Sequence, residues 1–167
     1  MSVEDVLQTW VRAVTRLQNT DVRPRWQATA PNFPAPDHDW CAVGVLSDEP
    51  EPGTPHQEMT DAGLLLRRHR IVNALVTFYG PAAEEYAGRL SDGGYVEPNR
   101  GLLNEVGITL VTFEPMRHVP ELFNSIWINR VDLPIRLRRA VERTYALTHV
   151  VSADGHVNSD LSYFEAK

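Results

Sequence analysis

The stretch Ile71-Val72-Asn73-Ala74-Leu75-Val76-Thr77-Phe78-Tyr79, closed by Gly80-Pro81, decides the architecture of this 167-residue chain. Successive side chains of a strand point to opposite faces. Here apolar residues stand at both parities, so the strand has something to bury on each face. That suits a central strand covered by helices on at least one side. Gly80-Pro81 is a hard stop, and Pro81 sits at a favoured first position of a following helix.

Working towards the C-terminus, Ala82 to Leu90 reads as that helix, with Tyr86, Ala87 and Leu90 on one side. Ser91-Asp92-Gly93-Gly94 ends it. Pro98 to Val106 reads as a second short helix closed by Gly107 as its C′ glycine. Ile108 to Phe113 is a β-branched strand, and Pro115 to Phe123 reads as irregular. From Trp127 to Leu137 the chain alternates: Val131, Leu133, Ile135 and Leu137 against Asp132, Pro134, Arg136 and Arg138, a period of two. Arg139 to Thr144 continues polar, Tyr145 to Val151 supplies a last strand, and Ser152 onward is an acidic tail of small residues.

Towards the N-terminus, His56 opens the strand-rich stretch that ends at Tyr79, with Leu64 to Leu66 a place where pairing begins. Ser47 to Pro55 holds three prolines, a glycine and three acids and reads as a loop or hairpin tip. Trp40 to Leu46 reads as a strand. Pro31, Pro34 and Pro36 mark a crossing, and Val22 to Ala28 a short edge strand because of Pro24. Val3, Val6, Leu7, Trp10, Val11, Val14 and Leu17 fall on one helical stripe, predicting an amphipathic helix over residues 3–18. Ser2 and Asp5 form the aspartate version of a capping box.

The sum is an α+β chain: a single domain, residues 1–151, with a mostly antiparallel or mixed sheet flanked by helices and long loops, and a C-terminal tail, residues 152–167. Hydrophobic residues make up 43% and charged residues 23%, ordinary for a globular protein. Cys41 is the single cysteine, which excludes an internal disulfide framework and a cysteine-based zinc site. The first ten residues carry acids where a signal peptide has bases, and no apolar run reaches membrane-span length. We therefore expect a cytosolic protein, or one cytosolic before it enters a particle. The net charge of −6 argues against a protein whose main work is gripping phosphate backbones.

The search for chemistry is nearly empty. There is no glycine-rich phosphate loop, no Gly-x-Ser-x-Gly elbow and no H-E-x-x-H spacing. Cys41 lies among apolar neighbours, the setting of an inert buried thiol. His38 between Asp37 and Asp39 is the best metal candidate, but adjacent residues do not easily converge on one ion, and a turn before the strand is the plainer account. Glu84-Glu85 lies on an exposed helix face. Arg67, Arg68 and Arg70, and again Arg136, Arg138, Arg139 and Arg143, form a solvated face or pair with acids of a neighbouring subunit. Acids outnumber bases 22 to 16, which disfavours a nucleic-acid grip. We expect no catalytic residue, no cofactor and no metal. Trp26, Trp40 and Trp127 stand near loop edges, where they serve either the core or an interface.

Four stretches then resemble the phage neck terminator family of tailed phages. They are Val22-Arg23-Pro24-Arg25-Trp26-Gln27 with Asp39-Trp40-Cys41-Ala42-Val43-Gly44; Thr77-Phe78-Tyr79-Gly80-Pro81; Asn99-Arg100-Gly101-Leu102-Leu103; and Pro120-Glu121-Leu122 leading to Trp127-Ile128-Asn129-Arg130-Val131-Asp132-Leu133. The resemblance implies a virion protein with no catalytic motif to carry over. It implies a ring, of six copies, that stops growth of the tail tube and offers its other face to the head-tail connector. Its partners would be itself, the tail tube protein, the connector or adaptor protein and a tail sheath where the tail has one, with genomic DNA only passing through and no membrane contact. Arg25, Trp26, Tyr79, Trp127, Arg130 and Asp132 are the candidate contact residues. Another neck, connector or head-completion ring, and a small enzyme with a site not apparent in the sequence, stand as alternatives.

Overall fold

A computed structural model describes residues 2–27 and 34–146. The fold is α+β. Helix α1, Val3–Thr15, begins with the capping box: the Ser2 hydroxyl accepts the Asp5 N–H at 3.1 Å, and the Asp5 carboxylate accepts the Ser2 N–H at 2.8 Å. Two orphan donors are satisfied by that exchange. The helix stops before residue 18 because Arg16 turns left-handed, with φ 67°, and closes the last turn onto Arg12 O.

The remaining elements are β1 Val22–Pro24, β2 Trp40–Pro50, β3 His56–Thr60, β4 Gly63–Tyr79, α2 Ala83–Gly93, α3 Glu97–Asn104, β5 Ile108–Phe113, β6 Arg117–His118, β7 Glu121–Phe123, β8 Ile126–Ile128 and β9 Arg130–Tyr145. The main sheet runs β1-β2-β4-β9-β5, with β3 beside β4 and β6 beside β9. Only β1 on β2 is parallel, so the sheet is mixed as its sequence predicts. Pro24 ends that edge strand, where its missing N–H costs nothing. Tail residues 152–167 lie outside the described residues.

All three helices lie on one face. Cys41, Val43, Val72, Val76, Phe78, Leu133 and Ile135 point to that side and meet Leu7, Trp10 and Val11 of α1, Ala87 and Leu90 of α2 and Leu103 of α3 in one core. The Trp10 indole N–H donates to Asn99 O at 3.0 Å, which pins α1 to α3. Gly80 makes the sharp exit from β4 at φ +108°: an added Cβ would lie 2.5 Å from Asp39 Oδ1 and 2.7 Å from His38 O. The close approach has a use. Asp39 Oδ1, just before β2, accepts the N–H of Ala82, the residue that precedes α2, at 2.8 Å and so ties the start of the helix to that strand. The helix therefore starts at Ala83, two residues after Pro81, and it runs past Leu90 to Gly93. α3 ends at Asn104 rather than Val106, and Gly107, at φ 73°, completes the turn.

Several expected boundaries are wrong for one reason. β4 and β9 pair without a break from Leu64–Tyr145 to Tyr79–Arg130, so the pieces read separately as 64–66, 71–79, the part of 127–137 from Arg130 on, and 139–144 belong to two long strands. Beyond Arg70 and Arg138 this ribbon, joined by β3, extends past the helix layer. Both faces there meet solvent, so no hydrophobic alternation marks the strands. Ser47 to Pro50 belongs to β2 rather than a loop, because Asp48 receives Arg70 at 2.7 Å and is bonded by Arg139 as well. The last predicted strand contributes only Tyr145 to β9, and residues 147–151 lie outside the described residues. Trp127 belongs not to β9 but to a separate hairpin.

Candidate partner interface

The face of the sheet turned away from the helices has its own order. Four strands meet at one end: the beginning of β2 and of β9, the end of β4, and β1 beside β2. Each contributes one side chain to a row. The Arg23 guanidinium lies 5.4 Å from the Trp40 ring centroid, Trp40 stacks on Tyr79 at 4.3 Å and 9°, and the Arg130 guanidinium lies 5.9 Å from the Tyr79 centroid. Trp40–Tyr79 and Tyr79–Arg130 are registered cross-strand partners, so the pairing of the sheet builds the row. Trp40 and Tyr79 of the row, with Ala42 and Ile128, form a small buried apolar cluster.

A polar chain crosses beside the row. Arg130 grips Asp132 with both Nε and Nη2, each at 3.0 Å, and sends Nη1 to Glu121 at 3.1 Å. The Thr77 hydroxyl donates to Asp132 Oδ1 at 2.8 Å and accepts from Arg25 Nη2. The Arg25 Nε is buried with no partner among the described residues. Partial burial of Asp132 works to raise its pKa, but the bonds from Arg130 and Thr77 and the charges of Arg130 and Arg25 outweigh it and hold the carboxyl below the usual range. The bond to Asp132 pushes the Arg130 pKa up, and burial pushes the Tyr79 hydroxyl up. Fork-to-carboxylate bonding of this kind fixes geometry as well as charge. Gly44 leaves room for the crossing segment: a Cβ there would sit 2.7 Å from Arg25 Cβ.

Beside this network stands the hairpin of β7 and β8, which pairs with no other strand among the described residues. Its two-residue turn, Asn124-Ser125, has φ 47° and 65°, the left-handed pair that matches the twist of a hairpin. The hairpin exposes Leu122, Ile126 and Trp127, the last at 68%. Leu122 and Trp127 are cross-strand partners, so they sit together on one side. Soluble chains do not usually spend a tryptophan this way, and exposed apolar groups rimmed by charge mark contact sites.

The structure thus brings four candidate contact residues, Arg25, Tyr79, Arg130 and Asp132, into one network, with Trp127 on the hairpin beside it. Trp26 is 64% exposed and follows Arg25 across Gly44. The sequence candidates did not include Thr77, Glu121, Leu122 and Ile126, and Trp40, read there as core or interface, stands in the row. Arg130-x-Asp132 at strand spacing was the available signal for the pair, but nothing local connects either residue to Thr77 or Glu121.

The other sequence candidates resolve into structure. His38 bonds Asp21 at 2.8 Å and Asp39 accepts the Ala82 N–H, so neighbours in the chain serve different partners. No group of three metal-binding side chains occurs among the described residues. Burial drives the Cys41 thiol pKa well above its ordinary value. Five of the clustered arginines, read from the sequence as a solvated face or as partners of a neighbouring subunit's acids, pair with acids of the same chain. The pairs are Arg67–Glu142, Arg70–Asp48, Arg136–Glu114, Arg138–Glu51 and Arg139–Asp48. Glu85 pairs with Arg89 along α2.

A family described as phage neck terminator protein matches residues 1–160. No curated protein matches the chain. Among solved structures, a chain from the virion of a native gene transfer agent particle is similar at 16% identity and a TM-score of 0.36, over 84% of this chain and 98% of that one.

Proposed function

Because this chain belongs to the phage neck terminator family, we propose that it is the tail terminator of its phage: a ring-forming subunit that caps the tail tube and joins it to the head-side connector. The coarse role, a structural protein of the phage neck, is that of the family. The sheet face turned away from the helices supports the finer one through the groups it leaves exposed, since Trp40 and Tyr79 are themselves buried at 7% and 9%. Arg25, Tyr79, Arg130 and Asp132 are held rigidly by one another, and Trp26, Leu122 and Trp127 project beside them into solvent. Interface cores favour tryptophan, tyrosine and arginine, and anchors held before binding lose less freedom on docking. The exposed hairpin is the single observation that carries the reading.

A rotational ring needs heterologous contacts, in which one surface of each copy meets a different surface of the next. The aromatic and arginine row with its hairpin offers one such surface. The net charge of −6, with seven arginines ion-paired to acids of the same chain, suits a channel that DNA slides through without being held. The tube, the connector and a second copy are the partners in this reading, and six copies would close the ring.

Electron microscopy of lysates from a phage with an early stop codon in this gene tests the role. DNA-filled heads beside detached tails of uncontrolled length are the expected result. Detached tails of normal length would move the protein to a head-side connector ring, and intact infectious particles would remove it from the neck.

A further inference from the structure

The part of the molecule that neither the core nor the bare face uses is the arm. It consists of β3, Gly63 to Arg70 of β4 and Arg138 to Tyr145 of β9, and it has three strands and no covering helix. Both of its edges are open among the described residues. β3 pairs only with β4, and β9 has no partner on its other side beyond the Ile108–Arg139 pair. Natural edges are usually blunted with prolines, bulges or inward charges. Here no proline lies in 56–60 or 140–145, and neither pairing shows a register shift.

We infer that the arms of neighbouring copies join edge to edge, with β3 of one copy beside the far half of β9 of the next. The inference rests on the ring reading and adds the element that would close it. Three observations choose a second copy as the occupant. The first is direction. β3 and β9 are both antiparallel to β4, so they run the same way. Copies related by rotation about an axis along the arms present these edges to each other in the same sense, and the joint is a parallel pair.

The second is an apolar rung. Met59 and Tyr145 are both partners of Leu64, so Met59, Leu64 and Tyr145 cross the arm on one face. Its two ends are half-exposed, Met59 at 46% and Tyr145 at 45%. Joining copies puts the Tyr145 ring of one beside the Met59 sulfur of the next, a favourable contact in its own right.

The third is charge. With Met59 beside Tyr145, parallel register sets Glu58 beside Thr144, Gln57 beside Arg143 and His56 beside Glu142. No like charges meet. Glu142 already holds Arg67 of its own chain at 2.6 Å. Arg143 has no partner among the described residues, and the joint gives it the Gln57 amide.

Cysteine pairing tests this on the purified full-length chain. Within one arm, residues 59 and 145 lie two strands apart, about 9.6 Å, beyond the roughly 7 Å limit for a disulfide. A Met59→Cys, Tyr145→Cys double variant therefore cannot bridge within one copy. Mild oxidation should give a ladder of linked chains on non-reducing gels, while each single variant stops at dimer or monomer. A Gln57→Cys, Tyr145→Cys variant, two residues out of register, should link several-fold less. Buried Cys41 takes no part. Assembly of the unmodified chain is followed in parallel by sedimentation, and melting curves establish that the variants fold. Rings with no ladder would overturn the arm joint and leave the ring reading standing. A chain monomeric at every concentration would overturn both. In particles, a cysteine at 59 linked to a different virion protein and never to its own kind would assign the edge to that protein and overturn the joint.

Discussion

The two faces of β9 carry the same backbone and opposite tasks. Val131, Leu133, Ile135 and Leu137 lie under the helices, each no more than 2% exposed. Asp132, Pro134, Arg136 and Arg138 face away, and three of those four make ion pairs with acids or arginines of the same chain. The covered face is held by area removed from water, which is indifferent to partners. The bare face is held by directional bonds that fix where each group points, and fixed polar and aromatic groups are what another protein can read. On the proposed reading the helix side makes the fold and the other side meets the partner proteins.

The sharpest way to separate the faces is to damage each. Leu133→Ala empties a fully buried site, and unfolding free energy should fall by about 2–5 kcal/mol, read by denaturant titration. Gly80→Ala should cost about 1–3 kcal/mol in the same titration, because φ +108° and the 2.5 Å approach to Asp39 leave no room for a methyl group. If Gly80→Ala melted like the unaltered chain, the close approach of Asp39 to the turn before α2 would not hold as described.

Asp132→Asn should cost about 1–3 kcal/mol at neutral pH, since Arg130 loses its bidentate partner. Its pH signature is more telling. The folded-state pKa lies below the unfolded value near about 3.9, so the carboxylate's contribution is complete above that value and lost as pH falls through the folded one. Stability of the unaltered chain should drop below about pH 4, and the asparagine variant should drop less. Asp48, also lowered, should leave part of that slope in place: its burial works to raise the pKa, and bonds from Arg70 and Arg139 overcome it. Trp127→Ala should barely move stability, within about 0.5 kcal/mol. Its partner affinity should fall roughly thirtyfold, as for an anchor worth about 2 kcal/mol, measured by binding to purified tails. A Trp127→Ala chain that unfolds easily would make this side chain part of the fold and not of the contact.

How much of this was legible depended on which side of the sheet a residue serves. The period of two in Val131 to Leu137 and the double-sided run Ile71 to Tyr79 were readable because burial imposes a pattern on adjacent residues. The Ser2–Asp5 box was readable because capping is local. The arm strands were not, since Arg139 to Thr144 pack under nothing and alternation had no reason to appear. The hairpin 121–128 was hidden by its Asn124-Ser125 turn, which adopts left-handed angles without a glycine. The contact network was half legible. Arg130 and Asp132 share a strand face, but Thr77 is brought to them from 55 residues away by pairing that the sequence does not announce.

The most direct test of the division places a photo-crosslinking amino acid at position 127, on the bare-side hairpin, and separately at position 84, on the exposed side of α2, in phage particles. The account predicts strong adducts from 127 to a second copy or another neck protein and little from 84. Adducts from 84 with none from 127 would put the contact on the helix side and contradict it.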